Sequence, residues 1–122
     1  MKNDVLALIN QFVENVKISN EATDYSDKSA NKMHNAAIDQ YRKIAKKISH
    51  DTDSVCEEFM SLLHSDDENV AVACAVCIIE LMKSTQDQYN LAINRIEEFV
   101  KMSKNKMKVL GFEMYLKKLK RP

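Results

Sequence analysis

Cys74-Ala75-Val76-Cys77 has the spacing of a redox dithiol or of half a zinc site. Redox work needs a thiolate stabilised at an exposed helix start. This pair sits among Val, Ala and Ile, where a thiolate loses its hydration. A zinc site needs four ligands, and Cys56 and His64 complete such a set only if folding happens to bring them in. The reading is therefore three structural thiols, no metal and no cofactor. His34, His50 and His64 are scattered and share no metal-binding helical spacing. The pairs Glu57-Glu58 and Glu97-Glu98 carry two carboxylates each, but adjacent helical residues point about 100° apart and do not converge on one atom. Gly111 is the only glycine, so neither a phosphate-cradling loop nor a glycine-built oxyanion loop can form. These residues define no catalytic constellation, and the chain is read as a non-enzyme.

The elements that would position these groups are helices. One glycine and one proline in 122 residues leave few turn formers for antiparallel sheets. The length fits a single domain, 1–122. Periodicity predicts six helices. The first runs from about Asp4 to Ile18, with Val5, Ile9, Phe12 and Val16 inward. The second runs from Ala30 to Ile48, with Met33, Ala37, Tyr41 and Ile44 inward. A third is capped by Asp51 or Thr52 and turns Val55, Phe59, Leu62 and Leu63 to the core. The fourth, Glu68 to Ser84, is apolar on every side apart from Glu80, the pattern of a central buried helix. Glu80 then needs an ion-pair partner or a place on a groove rim. A fifth opens at Ser84 or Thr85 and presents Tyr89, Ile93, Ile96 and Val100. A sixth presents Val109, Phe112, Leu116 and Leu119 and ends in Lys117-Lys118-Leu119-Lys120-Arg121. The expected fold is all-α, a compact stack of antiparallel helical hairpins.

The chain is neutral overall, yet its charges are segregated. Residues 48–82 hold eight acids and no Lys or Arg. Residues 99–122 hold eight basic side chains and one acid. Such poles steer partners. An odd cysteine count, no secretory pattern and no long apolar run point to a reducing, cytoplasmic setting without membrane insertion.

The run Leu62-Leu63-His64-Ser65-Asp66-Asp67-Glu68-Asn69-Val70, followed by Ala73 and Ala75, resembles a HEAT-type repeat core, though Ala71 stands where such repeats commonly carry Arg. With Ala30-Asn31-Lys32, Ile38 to Ile48 and Gly111-Phe112-Glu113-Met114 with Leu116, residues 25–120 resemble a family of small bacterial HEAT-like proteins, domain of unknown function two-thousand-and-nineteen. The resemblance implies a stack of α–α hairpins without known enzyme activity, similar to immunity proteins that neutralise toxins. The resulting expectation is a protein-binding module whose Asp53, Glu57, Glu58, Asp66, Asp67 and Glu68 dock on a basic partner, such as a toxin domain. The alternative is nucleic-acid binding through the basic sixth helix.

Overall fold

The computed structural model describes residues 2–21, 28–49 and 54–120, with the side chains of 4–20, 32–49 and 54–119. These form α1 (Lys2–Glu21), α2 (Lys28–Ser49), α3 (Glu57–Met60) with a 3-10 turn (Ser61–His64), α4 (Glu68–Glu80), α5 (Gln86–Met102) and α6 (Lys106–Lys120). Among the described residues there is no strand, and no helix is long and apolar enough to cross a membrane.

The helices pair as three successive hairpins. His34 Nδ1 lies 2.6 Å from the carbonyl of Ser19, and the rings of Tyr41 and Phe12 meet edge to face at 5.3 Å, so α2 runs back along α1. Phe59 accepts from Cys74 Sγ at 3.3 Å across the second hairpin. The third joins α5 to α6 through Phe99 and Phe112, 5.5 Å apart. Contacts between hairpins fix their order. Arg42 meets Glu80 and Ser49 accepts from the amide of Lys83, so α2 and α4 point the same way. Lys108 meets Asn69 while Tyr115 lies beside Glu80, which makes α6 parallel to α4 as well.

The core is centred on α4. Val70, Ala71, Val72, Ala73, Cys74, Ala75, Cys77 and Ile78 are all buried, as the all-round apolar pattern requires. The small side chains let α1 and α5 approach its backbone. Phe12 and Phe59, both fully buried and 5.0 Å apart edge to face, seal the first two hairpins. Each such ring stabilises the fold by roughly 1.5–3 kcal/mol through burial.

Several expected boundaries shift, each for a local reason. The cap at Asp51 or Thr52 lies outside the described residues. The third helix begins only at Glu57, behind Cys56, whose side chain makes no capping bond. The segment before it is held from outside: Gln88 accepts from the Val55 amide at 2.9 Å and donates to the Val55 carbonyl at 2.8 Å. Gln88 is also the return arm of the Thr85 capping box that starts α5. The fourth helix stops at Glu80, four residues before Ser84, because the Lys83 amide bonds to the buried Ser49 hydroxyl instead of continuing the helical ladder. In α5 the buried residues are Ala92, Ile96 and Phe99; Tyr89, Ile93 and Val100 are only half-buried, so the stripe is rotated from its expected centre. Met33, expected inward, is exposed, and Ala37 carries that part of α2.

Candidate functional site

The parallel helices α2, α4 and α6 enclose a groove of about 480 Å³. One face of α4 forms its floor, through Asn69, Val72, Val76 and Glu80. Their spacings of three and four repeat the helical period, so a single stripe lines the whole floor. Ser19 and Asn20 of α1, with His34, Ile38 and Tyr41 of α2, make one wall. Lys108, Gly111, Phe112 and Tyr115 of α6 make the other. Val76, expected in the ring of buried residues, is instead half-buried at this floor.

The two ends of the groove differ chemically. At one, Lys108 Nζ donates to Asn20 Oδ1 at 3.1 Å and to Asn69 Oδ1 at 2.7 Å. Both acceptors are neutral. At the other, Arg42 Nη1 pairs with Glu80 Oε1 at 3.1 Å. Glu80 thus has both features expected of it, an ion-pair partner and a place on the groove rim. With each side chain about one-third exposed, the pair contributes under about 1 kcal/mol. Beside it, the Tyr115 hydroxyl is shut off from solvent, and among the described residues no partner meets it in bonding geometry. Burial first, and the adjacent Glu80 carboxylate second, hold its pKa above the usual phenol range. Burial, then the neighbouring Cys77, pushes Tyr41 up to about 12.

All three cysteines are free thiols. Cys74 and Cys77 are fully buried. Burial raises the Cys74 thiol well above its ordinary value and pushes Cys77 up to about 12. Both stay protonated at neutral pH, so neither is a ready nucleophile. Among the described residues, no three His, Cys, Asp or Glu side chains come together as metal ligands.

The expected acidic surface is divided by the fold. Asp53 lies outside the described residues. Glu57 and Glu58 open α3, exposed and half-buried respectively. Asp66 and Glu68 are exposed at the start of α4, beyond the 3-10 turn. Asp67 has a structural task there: its carboxylate accepts from the Asn69 amide at 3.0 Å and caps α4. Among the described residues, none of these acids has an ion-pair partner. The parallel course of α4 and α6 brings basic residues to the same end of the molecule, but Lys108 turns to Asn20 and Asn69 rather than to the acids.

The sequence reading did not single out Asn20, Asn69 or Lys108. They lie on three helices far apart in the chain, and only the packing of those helices joins them. Gly111 did carry a signal. It is the only glycine, and it stands inside a helix, where glycine weakens the structure relative to alanine. No protein-family model, no curated protein and no solved structure matches this chain.

Proposed function

We propose that this chain is a protein-binding module without catalytic chemistry of its own, and that its partner is a basic protein. The observation that carries this reading is the free state of the acids around the start of α4. Asp66 and Glu68 are exposed and unpaired among the described residues, although a basic helix runs alongside. Their field is therefore directed outwards, where it speeds encounter with a cationic surface. Glu57 and Glu58 form a second acidic group at the start of α3, and Asp53 belongs to the same acidic run of the sequence.

In its narrower form the proposal is an immunity protein of a bacterial cytoplasm, which neutralises a cognate toxin by covering a basic active-site cleft. The sequence resemblance supports that form. The test is capture of the partner from source cells, followed by binding kinetics with Glu57, Glu58, Asp66 and Glu68 all changed to Lys. Asp67 is left in place because its change would remove the α4 cap. Association should slow by about tenfold or more, with thermal unfolding little altered. Unchanged association would contradict the reading. Binding lost instead on reversal of Lys106, Lys117 and Lys118 would move the site to α6 and favour nucleic acid. The outward side of α6 speaks against that second reading, since Met107, Leu110 and Met114 are exposed between the lysines.

A further inference from the structure

We propose that the groove is a binding site for an amphipathic monocarboxylate, with Lys108 and Asn69 holding the carboxylate and the floor of α4 taking an unbranched apolar chain. None of Asp66, Asp67 and Glu68 lines the groove, although its carboxylate end adjoins them: Asn69 follows Glu68, and the Asp67 carboxylate caps its backbone amide at 3.0 Å.

The headgroup end follows from donor accounting. An ammonium has three N–H donors and no acceptor. Lys108 gives two of them to Asn20 Oδ1 and Asn69 Oδ1, and no carboxylate neutralises it among the described residues. Because lysine only donates, the Asn69 oxygen must face it, which turns the Asn69 Nδ2 group elsewhere. That amide has no acceptor among the described residues. The corresponding group of Asn20 is already bonded to the Val16 carbonyl at 2.9 Å. One N–H of Lys108 and the Asn69 amide thus remain as neighbouring donors beside a positive charge, a match for one carboxylate.

The rest of the groove selects the body of the ligand. From Asn69 to Glu80 the floor spans about 16 Å at the helical rise. Between these ends it is lined by Val72, Val76, Ile38 and Phe112. Val72 and Ala73 on the floor are only 5% and 9% exposed, so the middle of the trough is apolar and poorly hydrated, a surface for a hydrocarbon chain. A second carboxylate at the far end would meet Glu80, whose partner Arg42 is already engaged; the ligand is therefore a monocarboxylate. The volume of 480 Å³ falls within the roughly 300–1,000 Å³ of small-molecule sites. Gly111 supplies an independent sign. A Cβ built there meets no atom within 4 Å, so no packing within the described chain requires a glycine, and the residue lines the groove.

The same glycine provides the test. Selective ¹⁵N-glycine labelling of the full chain yields one backbone resonance, from Gly111. Titration with decanoate at neutral pH should move that resonance saturably, while decanol and decylamine should bind at least about tenfold more weakly. Lys108→Met keeps the aliphatic stem and should weaken decanoate by a similar factor. Gly111→Leu, at a position with open space, should fold and abolish the heat of decanoate binding. That second variant keeps the test decisive if Lys108→Met fails to fold. Absence of a saturable shift, equal affinity for decanol, or unchanged affinity in a folded Lys108→Met variant would overturn the proposal. A shift that depends on protein concentration alone would assign the groove to a second copy of the chain and overturn it too.

Discussion

α4 and α6 face each other across the groove, run in the same direction and are both rich in apolar residues, yet they have opposite fates. Every turn of α4 is buried, and its acidic side chains stand at its two ends, Glu68 and Glu80. Among the described side chains of α6 only Leu116 is buried. Its inward face packs through half-buried Phe112 and Tyr115, while Met107, Leu110 and Met114 remain 82%, 57% and 64% exposed on the outside. The difference is one of neighbours. α4 is enclosed by α1, α3 with its turn, and α5, whereas α6 packs chiefly on α5 and borders the groove. An apolar residue contributes to stability only where the fold supplies a partner for it, so similar composition makes one helix scaffold and the other surface.

The contrast can be broken most severely at Ile78. Ile78→Asp places a charge at a position of zero exposure and should cost about 4 kcal/mol or more, enough to unfold a domain of this size. Met114→Asp, the same chemistry on α6, should shift stability by no more than about 0.5 kcal/mol. Equal losses in denaturant melts would show that the two helices do not differ as described. Between these limits, Phe112→Ala removes the edge-to-face contacts with Phe99 and Tyr115. It should cost roughly 2 kcal/mol, less than full burial would imply.

Alkaline pH probes the buried titratable groups of α2 and α4 by another route. The folded pKa of Cys77 is raised from 9.0 to about 12 and that of Tyr41 from 10.0 to about 12. The folded state therefore holds these protons more tightly than the unfolded chain does. Their contribution is complete below the unfolded pKa and declines as pH rises towards the folded one. Tm should stay level up to about pH 9 and then fall, and Cys77→Ala should make the decline shallower. An identical slope in that variant would remove the thiol from the account. A change of opposite sign is expected at Gly111. Gly111→Ala should stabilise by up to about 1 kcal/mol, since the added methyl meets nothing. A loss of stability there would mean that the glycine has a packing role.

Much of this architecture is legible in the sequence because it depends on local period. The stripe of Ile9, Phe12 and Val16 and the enclosed α4 follow from spacing, and capping chemistry narrows the start of α5 to Ser84 or Thr85, of which Thr85 is the cap. What the sequence conceals is long-range. The Gln88 clasp on Val55 and the Ser49 bond to Lys83 join residues more than thirty positions apart, and they decide where α3 starts and α4 stops. The groove is hidden for the same reason, since its lining comes from five helices. The acidic run was visible as a block of charge, but its division into Glu57-Glu58 and Asp66–Glu68, and the use of Asp67 as a cap, required the fold.

The central claim is that the unpaired acids of the α3–α4 region draw in a basic protein partner. The most direct measurement is the association rate of that partner with the variant carrying Lys at 57, 58, 66 and 68, taken over a range of ionic strength. Association should be about tenfold slower or more at low salt, with a gap that narrows as salt rises and an unaltered melting profile. An association rate equal to that of the parent at every salt concentration would contradict the claim.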